Sequence, residues 1–172
     1  MKKKLLSIVL VLYVLLDLGY TFAQAYQLPL EGDLPSIVMG PECQQVLHDP
    51  FGWAALTRNE VYVAPNRFFA HAAMVSYFKL MPLALQRFLD PISSVYGACA
   101  LFAVGVQALL LYVLGVYISG TYQLSRRTFW LAVALLVPLF QLAGYNDQMG
   151  IIDRAITYTF FYAFPMTLLL LL

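Results

Sequence analysis

Residues 91–119 read PISSVYGACALFAVGVQALLLYVLGVYIS, and none of these 29 side chains carries a charge. A helix needs about 20 predominantly apolar residues to cross the hydrocarbon core of a bilayer, so this stretch is long enough to span it. The whole chain shares the bias, with 62% hydrophobic and 11% charged residues. Soluble domains contain about 45–50% apolar and about 25% charged residues. The sequence therefore predicts an all-α integral membrane protein whose surface faces lipid.

Three more apolar stretches predict further transmembrane helices. Together they give one membrane domain of about four spans, with a large helical extracytoplasmic loop between the first two. The predicted order along residues 1–172 is a span at 5–25, an outer loop at 26–90, a span at 91–119, a cytoplasmic loop at 120–128, a span at 129–144, an outer loop at 145–155 and a span at 156–172. The last stretch has no polar or basic flank, which is typical of a fragment or an interrupted reading frame.

Lysine and arginine in the short flanks predict the orientation, because these residues are enriched in cytoplasmic loops. Lys2, Lys3 and Lys4 precede the first span, and Arg126 and Arg127 lie between the second and third. Both groups belong on the cytoplasmic side, which agrees with strict alternation of the spans. The N-terminus is therefore expected in the cytoplasm and the large loop on the extracytoplasmic side.

The N-terminus also fits a second interpretation, a cleaved signal peptide. Three lysines, an apolar stretch and the small-residue motif AQA at 23–25 follow the order of such a peptide. The apolar run is long for a signal peptide, however, and Asp17, Tyr20 and Phe22 lie where such peptides are plain. We therefore expect a retained transmembrane helix.

The outer loop at 26–90 holds too many aromatic residues for a solvated linker. Its pattern predicts a helix at 34–47, a turn at 49–52 (DPFG) and a longer helix at 66–89 with a kink at Pro82. The basic residues of the longer helix recur near multiples of four, which is typical of a helix lying along the membrane interface. These residues are Arg67, His71, Lys79 and Arg87.

A polar stripe follows one face of the first span. Its members on a helical projection are Tyr13, Asp17, Tyr20, Thr21 and Gln24. A carboxyl group inside a span costs about 2.5–3.5 kcal/mol on insertion scales, so Asp17 must point into the bundle or toward a wet cavity. It would then belong to the wall of a substrate-binding site, or be a single buried carboxylate hydrogen-bonded to a neighbouring helix.

The segment Glu31-Gly32-Asp33 lies just beyond the outer end of the first span. Two acids around a glycine would bind a divalent cation or act as a general base on an acceptor hydroxyl. The simpler interpretation is a turn in which Asp33 caps the next helix, with Pro35 in its first turn.

Two further groups of polar residues are candidates for substrate binding. Arg67 and His71, four residues apart, would share a helix face that suits a phosphate, from a lipid headgroup or a lipid-linked substrate. Ordinary anchoring of the helix at the interface is the alternative. The other outer loop contributes Asp147, Asp153 and Arg154, which would share a membrane face with the acids of the first loop.

The order of these features resembles the N-terminal module of the GT-C type membrane glycosyltransferases, which use polyprenyl-phosphate-linked sugars. In that superfamily the first outer loop begins with an essential Asp or Glu and contains helices lying flat on the membrane. The resemblance implies a catalytic role for Glu31 or Asp33, and it favours Asp33 as the group that deprotonates or orients the acceptor. It also implies that Arg67 or His71 meets the donor phosphate.

The resemblance covers the first two spans and the loop between them. It implies that Asp147 and Asp153 are second-site candidates, since some members use an acid in that loop. Members of the superfamily have many more spans, so this chain would be the N-terminal part of such an enzyme. Any metal requirement stays unknown, because two histidines without a regular Cys or carboxylate spacing give no ligand set.

A protein of a different class fits the same sequence. It would be a small non-catalytic four-helix membrane protein that binds a lipid or a partner membrane subunit through aromatic residues of its outer loop. These residues are Phe68, Phe69, Tyr77 and Phe78. A transporter would need polar residues in several spans, and only Asp17, Gln107 and Gln141 qualify. The net charge of +1 gives no reason to expect a nucleic acid as partner.

Overall fold

The computed structural model describes residues 2–28, 30–40, 43–62, 67–140, 152 and 155–172. Throughout these ranges the regular elements are helices and no strand is present, which confirms the predicted all-α class. The helices are Lys2–Gln27 (α1), Asp33–Met39 (α2), Cys43–His48 (α3), Trp53–Arg58 (α4), Phe68–Leu85 (α5), Pro91–Ser119 (α6), Arg127–Leu136 (α7) and a C-terminal helix, Ile156–Leu169. A 3₁₀ segment, Val137–Phe140, extends α7.

Within the part of the chain that the structure describes, three helices are long and apolar enough to cross a membrane, namely Lys4–Gln27, Phe68–Leu85 and Pro91–Ser119. Two of them coincide with the first and second predicted spans. The predicted third and fourth spans fall on shorter apolar helices, Arg127–Phe140 and Ile156–Leu169, so helix length does not confirm a total of four. The helix α5 also meets the criteria for a span, although the sequence pattern predicts that it lies along the interface.

The helices α1 and α6 run antiparallel and pack together along their lengths. The ring of Tyr26 lies 6.2 Å from that of Tyr96, and further along Gln107 Nε2 lies 2.9 Å from Asp17 Oδ2. Lys4, near the start of α1, lines a cavity with Arg127, at the start of α7. Lys4 and Arg127, two of the basic residues that predict the cytoplasmic side, therefore lie at the same end of the bundle.

A glycine allows α6 and α7 to approach closely. A Cβ atom on Gly115 would lie 2.6 Å from Val133 Cγ2 and 3.2 Å from the Phe129 ring. The distance to Val133 is shorter than real Cβ contacts. The neighbouring core holds the largest buried side chains of this pair, including Leu111 and Phe140. Small residues at such contacts are typical of helices that pack inside membranes.

The segment between α1 and α6 folds onto the bundle through a second core. Leu34 of α2, Met74 and Phe78 of α5, Ala98 of α6 and Phe160 of the C-terminal helix pack together and are buried. Four separate elements therefore close over the same point. This packing supports the prediction that the segment is a folded unit.

The helices of this segment differ in detail from the predicted ones. The single helix predicted at 34–47 is wrong, because α2 ends where Gly40 adopts an extended backbone (φ −62°, ψ 147°) and α3 begins only at Cys43. The helix predicted at 66–89 is α5, and Pro82 lies inside it.

The predicted turn at 49–52 is confirmed by a hydrogen bond from the Gly52 N–H to the Asp49 carbonyl, 3.2 Å long. The Asp49 carboxylate also accepts from the N–H groups of Trp53 (3.0 Å) and Ala54 (2.8 Å), in the first turn of α4. It accepts a third bond, 2.8 Å long, from the Tyr62 hydroxyl. These bonds lower the pKa of Asp49, the one to Ala54 most strongly.

The helix α5 contacts α6 through two side-chain hydrogen bonds. The Gln86 amide, just past the end of α5, donates to Ser94 Oγ (3.4 Å), and the Tyr77 hydroxyl donates to the Ala98 carbonyl (2.8 Å). These bonds hold α5 against the N-terminal part of α6.

Candidate functional site

Glu31, just past the end of α1, is anchored to the C-terminal helix. Its Oε1 accepts a hydrogen bond from the Thr157 backbone N–H, 2.6 Å long, and another from the Thr157 hydroxyl. The first N–H groups of a helix have no partner within it, and a negative charge there is favourable. The carboxylate of Glu31 therefore fixes the start of the C-terminal helix against the end of α1.

Asp33, the acid that the resemblance favours, lies elsewhere. It is the first residue of α2, it is exposed, and the N-cap position belongs to Gly32. The interpretation of Asp33 as the cap is therefore wrong, although an acid in the first turn still favours the helix. Its backbone carbonyl accepts from the Ser36 hydroxyl at 2.9 Å. Of the two acids, Glu31 is the one that contacts the bundle.

Arg67 precedes α5 and lies on aromatic rings of the C-terminal helix. Its Nη2 donates to the Tyr162 hydroxyl at 2.8 Å. The guanidinium carbon lies 4.9 Å from the centre of the Phe161 ring and 5.3 Å from that of Tyr162. Across the described ranges the only ion pair joins Arg58 to Glu60. No described carboxylate therefore neutralises Arg67.

His71 lies one helical turn beyond Arg67, and its backbone N–H donates to the backbone carbonyl of Arg67 at 3.0 Å. Its ring meets the Phe161 ring edge-on at 4.8 Å. Arg67 is the N-cap of α5 and lies outside the helix, but its side chain and that of His71 both contact Phe161. Only 9% of His71 is exposed, and its Nδ1 is buried without a hydrogen-bond partner among the described residues.

A cavity of about 340 Å³ opens beside Arg67. We call it the aromatic groove. Its lining residues are Pro50, Phe51, Arg67, Phe68, Phe69, Ala70, Phe161 and Pro165. The rings of Phe51 and Phe69 stack at 5.9 Å, and Phe69 stacks in turn on Phe164 at 6.1 Å. The groove therefore joins apolar walls to one positive charge.

The C-terminal helix contains a π-helical segment, Thr159–Ala163, at the level of Arg67. Such segments are rare and occur often at functional sites. Phe160 points into the core, where its ring stacks on that of Phe102 at 3.5 Å. Phe161 and Tyr162 face Arg67 instead. One short segment therefore supplies both the core and the wall of the groove.

Two of the predicted polar residues, Glu31 and Arg67, both contact this helix. Glu31 bonds to Thr157, and Arg67 contacts Phe161 and Tyr162, four and five residues further along. At 1.5 Å per residue the two attachment points are about 6 to 8 Å apart along the axis. Three other candidates, Asp147, Asp153 and Arg154, lie outside the described residues, as does Gln141.

Asp17 forms a separate polar centre, ten residues before the end of α1 and therefore about 15 Å from it along the axis. It is buried against α6 and accepts from Gln107. The predicted polar stripe is correct for Asp17 and Thr21, which are buried, and wrong for Tyr13 and Tyr20, which are exposed. The structure therefore favours a carboxyl group bonded to a neighbouring helix.

No metal ligand set supports the divalent cation considered at Glu31 and Asp33. Among the described side chains, no group of three or more His, Cys, Asp or Glu residues comes together. Of the other predicted residues, Glu31 and Arg67 contact the C-terminal helix, and Asp17 is buried between α1 and α6.

Sequence reasoning did not identify the aromatic partners of the site, Phe161 and Tyr162, or the Glu31 partner Thr157. All three belong to an apolar stretch that reads as a span, and no local signal distinguishes them from lipid-facing residues. No protein-family model, curated protein or solved structure matches the chain. The class that the fold defines is therefore a helical protein with helices suited to a membrane.

Proposed function

We propose that this integral membrane protein binds an amphiphile with a phosphate headgroup, and that the aromatic groove is the binding site. The observation that carries the proposal is the Arg67 guanidinium, which stacks on Phe161 and Tyr162 without a described carboxylate partner. Arginine has five N–H donors, and one of them is used in the bond to Tyr162. The remaining donors suit phosphate oxygens.

The walls of the groove support an amphiphile over a free ion. Phe51, Phe69 and Pro165 would contact an acyl or prenyl chain. The ligand class includes phospholipids and polyprenyl phosphates, of which a lipid-linked sugar is one. The bilayer itself is then the source of the ligand.

The proposed orientation places the groove on the extracytoplasmic side. Lys4 and Arg127 lie at the opposite end of the bundle from Glu31 and the Tyr26–Tyr96 contact. Basic residues mark the cytoplasmic side. We therefore propose four spans, α1, α6, α7 with its 3₁₀ extension and the C-terminal helix, with α5 along the outer interface.

A binding assay with purified full-length protein tests the proposal. Native mass spectrometry in detergent would compare a polyprenyl phosphate with the same polyprenol lacking phosphate. Arg67→Gln should weaken binding of the phosphate form about tenfold or more, because hydrogen bonds to a charged group contribute about 1.5–3 kcal/mol. Arg58→Gln is the matched control, since Arg58 is exposed and paired with Glu60, and it should bind normally.

Equal affinity of the Arg67→Gln variant and the unchanged protein would overturn the proposal. Equal affinity of the unchanged protein for the polyprenyl phosphate and the polyprenol would also overturn it, because the groove would then recognise only the hydrocarbon part of the ligand. A thermal melt of each variant separates loss of binding from loss of fold.

Glycosyl transfer is the second candidate, and the attachment of both Glu31 and Arg67 to the C-terminal helix favours it. In this reaction the acceptor oxygen bonds to the anomeric carbon while the bond from that carbon to the phosphate oxygen breaks. The phosphate leaves with the bonding electrons and is held by Arg67, and the acceptor proton passes to the Glu31 carboxylate. The geometry thus favours Glu31 over Asp33 as base.

Transfer from a polyprenyl-phosphate sugar to an acceptor distinguishes the two candidates. Glu31→Gln should abolish transfer and keep donor binding, whereas Asp33→Asn should leave both unchanged. Thr157→Val controls for the structural bond of Glu31. If the unchanged protein binds the donor and transfers nothing, the transferase candidate fails and the binding function stands.

Phe68, Phe69, Tyr77 and Phe78, the aromatic residues considered as a partner-binding surface, do not share one surface. Phe78 is 8% exposed and Tyr77 bonds to the Ala98 carbonyl, so both belong to the core side of α5. Phe68 and Phe69 line the groove. The described residues therefore favour a lipid in the groove over a partner subunit on this cluster.

A further inference from the structure

A second polar centre lies inside the bundle, where α1 crosses α6. It comprises Asp17 and Thr21 of α1 and Gln107 of α6, which are 8%, 1% and 0% exposed. Asp17 and Thr21 are four residues apart and therefore share a helix face. These are polar side chains within two of the most apolar helices of the chain. They need hydrogen-bond partners, because burial without one is costly.

Two polar atoms of this centre lack a hydrogen-bond partner among the described residues. Gln107 Nε2 donates to Asp17 Oδ2 at 2.9 Å. Gln107 Oε1 and Thr21 Oγ1 are both buried and have no hydrogen-bond partner among the described residues. A buried polar atom left unsatisfied costs about 1–3 kcal/mol. An ionised carboxylate has no hydrogen to donate, so a charged Asp17 would leave the Gln107 oxygen unsatisfied.

We propose that Asp17, Gln107 and Thr21 form a proton-binding site, with the proton on the Asp17 carboxyl group. The protonated oxygen then donates to Gln107 Oε1, while the other oxygen keeps its bond from Gln107 Nε2. The acid and the amide thereby close a ring of two hydrogen bonds. Thr21 offers a hydroxyl on the same buried face. This site is separate from the aromatic groove and does not depend on its function.

The surroundings supply no described charge close enough to stabilise an ionised Asp17. Gln107 is neutral, and α6 carries no charged side chain. The other titratable side chains on α1, α6 and α7 are Lys2, Lys3, Lys4, Tyr13, Tyr20, Tyr26, Tyr96, Cys99, Tyr112, Tyr117 and Arg127. At neutral pH only the lysines and Arg127 among them carry a charge. Lys4 is 13 residues before Asp17, about 20 Å along the axis, and Arg127 lies beside Lys4 at the same end of the bundle.

Infrared spectroscopy of the full-length protein in lipid tests the proposal at neutral pH. A protonated carboxyl group has a carbonyl stretching band that is distinct from the bands of a carboxylate. We expect this band in the unchanged protein and its loss in Asp17→Asn. Asp33→Asn is the matched control, because Asp33 is exposed, and the band should remain. Its absence from the unchanged protein would overturn the proposal.

Cation competition and thermal melts at neutral pH complete the test. Loss of the band on addition of sodium or potassium ions would mean that a cation displaces the proton, which would also overturn the assignment to a proton alone. Asp17→Asn keeps a neutral donor and acceptor for Gln107 and should melt like the unchanged protein, whereas Asp17→Leu should melt lower. Equal destabilisation by both would contradict a neutral Asp17.

Discussion

At the scale of single residues, this chain fixes its geometry with a few side chains that satisfy several backbone groups. Asp49 is the clearest case, since one carboxylate bonds to two N–H groups of α4 and to Tyr62. Gly52 permits the turn between them, with φ at +67° and the Phe68 ring occupying the space where a side chain would lie. Local sequence predicts this turn well, because its signal is contained in four residues.

The hydrogen bond between Asp49 and Tyr62 should stabilise the segment between them only within a limited pH range. The pKa of Asp49 is lowered in the folded protein. The stability that the ionised carboxylate contributes is therefore fully present above the usual pKa of 3.8 and is lost as the pH falls through the lowered value. Burial and the bond to Asp49 raise the pKa of Tyr62 from 10 to about 12, so this contribution is complete below pH 10 and lost as the pH rises through about 12.

The fluorescence of Trp53, measured in a Trp130→Phe variant, should therefore change at both ends of the pH scale. Tyr62→Phe should remove the alkaline transition while the acid transition remains. A Tyr62→Phe variant that retains the alkaline transition would show that another group causes it.

Gly115 should be less replaceable than Gly105, another glycine of α6. A methyl group there would meet Val133 and Phe129, whereas one on Gly105 would meet nothing within 4 Å. Overpacking of this kind costs about 1–3 kcal/mol, so Gly115→Ala should lower the melting temperature in detergent and Gly105→Ala should not. Val133→Ala added to Gly115→Ala should restore part of the loss. Equal behaviour of the two glycine variants would contradict the close α6–α7 contact.

At the scale of helices, sequence predicts the long apolar elements better than their partners. The α1 and α6 boundaries follow from composition, and the Asp90 N-cap of α6 bonds to the N–H groups of Ile92 and Ser93 as its position suggests. The bond between Glu31 and Thr157 joins residues 126 positions apart. No periodicity or local motif encodes a pairing of that separation, so the local pattern does not distinguish Glu31 from Asp33.

The Glu31–Thr157 bond should appear as an energetic coupling between α1 and the C-terminal helix. Glu31→Gln and Thr157→Val should each lower thermal stability, and the double variant should lose less than the sum of the two. A coupling of about 0.5–3 kcal/mol is expected for residues in contact. Asp33→Asn with Thr157→Val is the control pair and should be additive. Additivity of the first pair would show that the two side chains do not interact.

At the scale of the whole molecule, the sequence leaves two placements open for α5. Its 18 residues satisfy the length and apolarity of a span, whereas the sequence pattern predicts an interfacial helix from Arg67, His71, Lys79 and Arg87, of which only His71 and Lys79 lie within α5. Composition alone does not separate these cases, because both bury apolar side chains. The interfacial placement, on which the four-span orientation depends, therefore stays a prediction.

Cysteine labelling in sealed vesicles tests that orientation. In a background with Cys43→Ala and Cys99→Ala, single cysteines at Arg58, Phe88 and Ser125 would be probed with an impermeant reagent. We expect labelling of the first two from the extracytoplasmic side and of the third from the cytoplasmic side. If α5 spans the membrane, Phe88 and Arg58 would label from opposite sides.

The π-helical segment has a consequence for the phase of the C-terminal helix. An α-helix turns about 100° per residue, and the wider turn at Thr159–Ala163 takes up one residue more than an α-helix would. Deleting one residue there would let the segment close into an ordinary α-helical turn and keep the residues downstream in phase. The Leu170 carbonyl, which accepts from the Tyr117 hydroxyl at 2.8 Å, would then still face α6. This segment should therefore tolerate the loss of one residue better than the α-helical turns on either side of it.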